Sequence, residues 1–241
     1  MFVIAALAVA VLAGAVAAVS GFGIGSLLTP VLLLEHPAAH AVALVAIPHA
    51  AASVTRLARL WHDIHWPTFR QFGVASAVGG LGGALLQTAL AGNALGVVLG
   101  MLLVAAGLTE LTGRRVPLPE ARAFRLIGGV LSGFFGGLVG NQGGIRAAAL
   151  LGFRLDPRQI VATATASAVI VDLARVPVYL LAWHRVLRPE LPLIAVLSAG
   201  VVAGTFIGVP LLGRIAERLY RRIVGGLLVL LGAVLIGNFA V

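Results

Sequence analysis

The sequence predicts an all-α fold, a polytopic transmembrane helical bundle built from two internal repeats, and three observations support it. The 241-residue chain is 60% hydrophobic and only 10% charged, with a mean hydropathy of +1.08. Soluble domains are roughly 45–50% apolar and about 25% charged. The apolar residues form long runs without strict alternation, which argues against a transmembrane β-barrel. Glycine-rich polar stretches interrupt two of these runs at corresponding places.

Eight apolar regions follow one another along the chain, and a bilayer core of about 30 Å requires about 20 helical residues for each crossing. The regions are 1–35, 38–58, 68–90, 94–112, 124–153, 159–183, 190–212 and 222–240. The first and the fifth are too long for one crossing, since 35 helical residues would extend about 52 Å. We therefore expect both to be broken by their glycine-rich motifs.

The two glycine-rich interruptions share the tripeptide SGF. They read "SGFGIGS" at 20–26 and "SGFFGGLVGNQGG" at 132–144. Each is followed by a short apolar segment, by "EHP" or "LDP", and by a helix of small residues. This recurrence divides the chain into a first transmembrane repeat at 1–112, a polar connecting loop at 113–121 and a second repeat at 122–241.

The distribution of arginines predicts the membrane topology. All 17 cationic side chains are arginines, and they lie in short loops rather than in one nucleic-acid-binding patch. If each long region crossed once, one face would carry about nine loop arginines and the other about six. If each were a hairpin returning to its starting face, the counts would be about thirteen and about two. The positive-inside rule favours the hairpins, which gives inverted repeats and places both termini outside the cytoplasm.

Broken helices at matching positions of an internal repeat are typical of secondary transporters, and the breaks indicate the binding site. A helix that restarts after a break presents unpaired N–H groups and its positive end to an anion. The predicted substrate-binding residues are Gly21, Gly23, Gly25, Ser26, Asn141, Gln142, Gly143, Gly144, Arg146, Thr163, Ser167 and Arg175. The alternative is that the glycines only allow close helix packing.

Three further polar residues are candidates for coupling transport to protons or to another ion: His49, Arg56 and Asp172. His49 could relay a proton, since imidazole titrates near about pH 6.5, or it could be a neutral side chain bonded to a neighbouring helix. Asp172 could instead form an intrahelical ion pair with Arg175. Arg56 stands three residues after Ser53, with no acid to neutralise it, and could extend to the membrane surface or contact substrate.

We expect no metal, no cofactor and no enzymatic activity. His62, Asp63 and His65 have metal-site spacing, but they lie between Trp61 and Trp66, which are typical interfacial anchors. The sequence has no Walker loop and no nucleophile elbow, and cysteine is absent. An anion channel or a non-transporting membrane scaffold remains an alternative, as does an intramembrane enzyme with two acids facing a shared cavity.

The whole chain resembles the TauE/SafE sulfite exporter family. The resemblance is carried by "SGFGIGSLLTPVLLL" at 20–34, "GGLVGNQGGIRAAALLGFRLDPRQIVATATAS" at 136–167 and "ARVPVYL" at 174–180. It implies export or uptake of small anions such as sulfite, sulfonates or related organic acids. Together with the repeat, it gives the hypothesis of an anion exporter of the cell membrane that works by alternating access between the two broken helices. Spacings such as Gly79 to Gly83 and Gly96 to Gly100 permit close helix contacts within one chain or in a homo-oligomer.

Overall fold

The computed structural model describes residues 1–21, 23–90, 93–113, 122–140, 146, 149–150, 153, 155–211 and 217–239. All regular secondary structure in these residues is helical. Five segments are long and apolar enough to cross a bilayer, judged by length and composition: Phe2–Val19, Ala38–Asp63, Trp66–Ala89, Pro157–Leu187 and Leu191–Gly208. Three shorter apolar helices accompany them. The predicted helical membrane bundle is therefore confirmed.

Nine helices of nine or more residues lie in the described ranges. They are α1 Phe2–Ser20, α2 Ile24–Leu32, α3 Ala38–Leu60, α4 Val74–Ala89, α5 Asn93–Thr112, α6 Arg122–Val139, α7 Pro157–Leu187, α8 Leu191–Gly208 and α9 Glu217–Phe239. A short α-turn and a π-helical turn, Phe69–Gly73, lead into α4. The longest helix, α7, starts with proline in its first turn, and Asp156 caps it by accepting the N–H of Gln159 at 2.9 Å.

The first apolar region is broken at the predicted place. Helix α1 ends at Gly21, which has a left-handed backbone with φ 82° and donates its N–H to Ala17 O at 2.9 Å. Gly23 follows with φ 128°, another conformation that favours glycine. The nine-residue α2 then packs back against α1. Helix α2 is about 13 Å long, which is less than half the thickness of the bilayer core.

The second break begins later than predicted. The expected interruption starting at Ser132 is wrong, because α6 continues through the SGF tripeptide to Val139 and ends at Gly140, with φ 73°. The glycines inside α6 serve packing instead: Gly133 and Gly137 lie against the backbone of α4. The number of residues from Gly21 to Gly140 equals the number from Arg56 to Arg175, so the two glycines are at matching positions.

Contacts between helices define their relative directions. Two pairs of helices are parallel, since their contacts advance in the same direction along both helices. In the pair α8 and α1, Gly204 lies against Val11 and Gly208 against Ala15. In the pair α4 and α6, Gly79 lies against Val130 and Gly83 against Phe134. Two pairs are antiparallel: Gly100 on Gly232 and Gly107 on Gly225 for α5 and α9, and His49 on Asp172 and Arg56 on Thr165 for α3 and α7. The spacing Gly79 to Gly83 is thus used for contacts within the chain.

Candidate functional site

A cluster of charged and titratable side chains lies buried around the α3–α7 contact. Its described members are His49, Arg56, Arg146, Asp172 and Arg175, and none is more than 6% exposed. Arg146 interacts electrostatically with Asp172, Arg175 and Arg56, so the charges form one group. Among the described buried side chains, three are arginines and one is a carboxylate, which gives the cluster a net charge of +2 when His49 is neutral.

Asp172 is the shared acceptor of this cluster. Its Oδ1 accepts the Nε–H of Arg175 at 2.9 Å, one helical turn away on α7. Its Oδ2 lies 2.7 Å from Nδ1 of His49 on α3. The predicted intrahelical ion pair is therefore formed, and the histidine reaches the same carboxylate from the neighbouring helix. A carboxylate held by two such donors can stay ionised in an apolar interior.

Arg175 also caps the end of α6. Its NH1 group donates to Gly136 O at 2.5 Å, and the hydroxyl of Tyr179 donates to Gly137 O. Both carbonyls lie in the last turn of α6, where Gly136 O also accepts the N–H of Gly140 at 3.1 Å, and a cation there is favoured by the helix dipole. NH2 lies 2.9 Å from Asp172 Oδ1 within the ion pair, although it makes no hydrogen bond of good geometry. Substrate contact by Arg175 stays a prediction, and the contacts observed are structural.

Arg56 has a different environment. Its Nε–H donates to Thr165 Oγ1 at 3.0 Å, while NH1 has no hydrogen-bond partner among the described residues. The side chain is only 1% exposed. One turn earlier stands Ser53, whose hydroxyl lies 3.5 Å from Nδ1 of His49. Because a buried, unsatisfied charged donor is costly, NH1 is well suited to receive a ligand oxygen.

The first break lies beside these arginines. Gly21 packs against Val161 and Ala164 of α7. Arg146 donates through NH1 to Ala164 O at 3.2 Å, and Arg56 bonds to the next residue of the same helix. One short stretch of α7 therefore brings the glycine break and two of the three buried arginines together.

The start of α2 belongs to the same neighbourhood. Gly23 is its N-cap, and the buried Gly25 and Ser26 lie in its first turn. The first backbone N–H groups of a helix have no intrahelical partners, and the positive end of the helix dipole lies there. These three residues lie at a helix N-terminus, and their contact with an anion stays a prediction.

The remaining predicted substrate residues divide into two groups. Asn141, Gln142, Gly143 and Gly144 lie outside the described residues. Thr163 and Ser167 are described, and both make structural hydrogen bonds: Thr163 Oγ1 accepts the N–H of His65 at 3.1 Å, and Ser167 donates to Thr163 O at 2.8 Å. Neither bond involves an arginine of the cluster.

Sequence reasoning missed the role of Thr165 as the hydroxyl that holds Arg56. The signal that could have found it is helical periodicity, since Thr165 precedes Asp172 by two turns and therefore lies on the same face of α7. The antiparallel contact with α3 then aligns it with Arg56.

The His62–His65 segment includes part of a 3-10 turn, Trp61–Asp63, and the link to the next helical turn, which His65 caps. Asp63 accepts the Nε–H of Arg158 at 2.7 Å, and the rings of Trp61 and Trp66 pack edge to face at 5.3 Å. Within the described residues, no group of three or more His, Cys, Asp or Glu side chains could hold a metal ion.

Comparison with known proteins gives one match. The family model described as "Sulfite exporter TauE/SafE" matches residues 6–235. No curated protein and no solved structure matches the chain. The matched range includes both glycine breaks and every member of the buried charge cluster.

Proposed function

The chain belongs to the TauE/SafE sulfite exporter family and is therefore a multi-pass membrane protein of a transporter family; on this premise we propose that it is a secondary transporter that exports small anions across the plasma membrane. The substrates are sulfite, sulfonates or related organic acids. The transported anion binds between the two glycine-broken regions, in contact with the start of α2, Arg56 and Arg146.

The observation that carries this proposal is the positive charge of the buried cluster. Only one carboxylate, Asp172, lies among three buried arginines in the described residues. Unbalanced charge in an apolar interior is expensive, and in membrane proteins it marks ligand and ion pathways. A small anion is attracted to this positive cluster, and the N–H groups at the start of α2 supply further donors. A cation would be repelled from the same place.

The helix directions support the proposed inverted repeats. The two repeats, 1–112 and 122–241, make α3 equivalent to α7 and α5 equivalent to α9. Both pairs are antiparallel, as expected when one repeat is inverted with respect to the other. If each glycine-rich region crossed the membrane once, α3 and α7 would instead cross in the same direction. The hairpin arrangement fits these directions, and the rocking of one repeat against the other would give alternating access.

His49 is the candidate for proton coupling. It is bonded to Asp172 across the contact between the two repeats, so a change in its protonation alters the charge of the binding site and the link between α3 and α7. Imidazole is the side chain that changes charge most readily near neutral pH.

Reconstitution into proteoliposomes tests the function. We expect saturable flux of labelled sulfite that is accelerated by unlabelled anion on the opposite side and altered by a proton gradient. Arg56→Gln should weaken sulfite binding about tenfold or more, since it removes charge-assisted hydrogen bonds. The matched control is Arg59→Gln on the same helix, because Arg59 stacks on Phe206 at 4.1 Å, away from the cluster.

Three outcomes would contradict the proposal. Unchanged binding and transport in Arg56→Gln would remove this arginine from the site. Flux without trans-stimulation would indicate an anion channel. Absence of any anion flux from protein that remains folded would favour a non-transporting role.

Cysteine labelling tests the hairpin topology without background, because the chain contains no cysteine. Single cysteines at Phe2 and His62 should react from opposite faces of the membrane in intact cells. Reaction of both positions from the same face would overturn the inverted arrangement.

A further inference from the structure

A buried hydroxyl on α2 has no partner. Thr29 is 1% exposed, and its Oγ1 makes no hydrogen bond to any described residue. Serine and threonine inside a helix can bond to a carbonyl one turn back. Seven described side chains of this protein do so: Thr55, Ser76, Thr88, Thr109, Thr112, Ser167 and Thr205. Thr29 departs from this pattern, although an unsatisfied hydroxyl in an apolar interior is unfavourable.

The hydroxyl of Thr29 faces the second break. Its Oγ1 lies 3.5 Å from the point that a Cβ on Gly140 would occupy, and NH1 of Arg175 lies 3.9 Å from the same point. Gly140 is the left-handed residue that ends α6. A hydroxyl from the first half of the chain therefore meets a helix break and a guanidinium from the second half.

Helix α2 thus connects the two breaks. Its N-cap, Gly23, belongs to the first break, and Thr29 reaches the second. Six residues of helix separate them, which is about 9 Å. The same helix therefore lines the path from the first break, at the start of α2, to the second break, at Gly140.

We propose that Thr29 is a substrate-contacting and specificity-determining residue, whose hydroxyl donates a hydrogen bond to an oxygen of the anion where α2 passes Gly140. This inference rests on the proposed function. It extends the site beyond the arginines of the first break, and it explains why the hydroxyl is not used by its own helix. An oxygen of the anion accepts this hydrogen bond and satisfies the donor.

The test compares Thr29→Val with Thr29→Ser. Valine keeps the shape and removes the hydroxyl, so we expect sulfite binding to weaken about tenfold or more. The melting temperature of the anion-free protein should not fall, because the removed group makes no bond there. Serine keeps the hydroxyl and should bind sulfite within about threefold of the parent, since the charge-assisted bond is retained. Thr205→Val is the matched control, because Thr205 is equally buried and bonds to Val201 O at 2.8 Å.

The measurements are sulfite affinity by calorimetry and melting temperature in detergent, on monodisperse protein with and without sulfite. Two results would overturn the role of Thr29. In the first, Thr29→Val binds sulfite like the parent. In the second, Thr29→Ser binds as weakly as Thr29→Val, which would show that retaining the hydroxyl does not retain binding and that the packing of this side chain, not its hydrogen bond, matters. If the parent itself shows no saturable sulfite binding, the transporter proposal fails as well.

Discussion

Arg56 on α3 and Arg175 on α7 occupy matching positions of the two proposed repeats, but the protein provides Arg175 with a carboxylate partner and Arg56 with none. Both are at most 1% exposed. The residue one turn before Arg175 is Asp172, which forms an ion pair with it. NH1 of Arg175 donates a hydrogen bond to Gly136 O. The residue one turn before Arg56 is Ser53, and only Nε of this arginine has a partner in the described part of the chain.

This difference indicates that the two halves have different roles. In the second half, the arginine is neutralised and serves the architecture of a break, because it caps the end of α6 next to Gly140. In the first half, the missing carboxylate leaves the positive charge available to a ligand. On the proposed function, the serine in place of the acid leaves Arg56 as a cation that the anion would contact, since a desolvated charge without a counterion is unfavourable.

Breaking the neutralised pair should have the largest effect. Asp172→Asn leaves Arg175 buried without its counterion, which typically costs about 3–5 kcal/mol. The double variant Asp172→Asn with Arg175→Gln removes both charges and should yield more folded protein. Size-exclusion profiles and melting temperatures in detergent measure this. Equal yields of the single and the double variant would show that the pair does not contribute to stability.

A carboxylate placed one turn before Arg56, as Asp172 is placed before Arg175, should give both arginines a counterion. In Ser53→Asp the new carboxylate pairs with Arg56 and lowers the net charge of the cluster by one. We expect sulfite affinity to fall about tenfold or more, which corresponds to one lost charge-assisted interaction. Ser53→Asn is the control of similar size without the charge, and it should bind more tightly than Ser53→Asp. If both variants bind equally, the charge of Arg56 is not what holds the anion.

The cap of α6 can be weakened without changing any charge. Tyr179→Phe removes the hydroxyl that donates to Gly137 O. The buried carbonyl loses its partner, so the protein should be destabilised by about 1–3 kcal/mol. Sulfite affinity of the folded variant should stay within about twofold of the parent, because the charges of the cluster are unchanged. A large loss of affinity at unchanged melting temperature would place Tyr179 at the substrate instead.

The smallest effect is expected for an ion pair on the surface. Arg158 and Asp63 approach to 2.7 Å, but the arginine side chain is 63% exposed. Exposed pairs contribute about 0.2–1 kcal/mol, so Arg158→Gln should change the melting temperature by much less than Asp172→Asn does. A similar loss in both variants would mean that burial does not account for the importance of the Asp172 pair.

Several features of the fold could be predicted from the sequence because they depend on local composition. Long apolar runs require lipid or a large core around them, so the helical membrane bundle follows from hydropathy. The break at Gly21 follows from a cluster of glycines in a region too long for one crossing. The pair of Asp172 and Arg175 follows from their spacing, since residues three apart meet on one face of a helix.

The same kind of reasoning gave the wrong start for the second break. "SGF" at 132–134 and "SGF" at 20–22 look alike, yet the second lies within α6 while Gly21 ends α1. A glycine in a membrane helix can end the helix or admit a close neighbour. Which of the two occurs at Ser132 depends on α4, which packs against Gly133 and stabilises the helix there.

The sequence by itself determined the chemical groups available to the site, because arginine, aspartate and glycine have fixed chemistry, and it determined contacts within one or two helical turns. The tertiary structure decided which of these groups meet. The antiparallel contact of α3 with α7 brings His49 to Asp172 and Arg56 to Thr165. The position of α6 allows Arg175 to donate to a carbonyl at the end of that helix. These partners lie far apart along the chain, and only the packing of whole helices sets the distance between them.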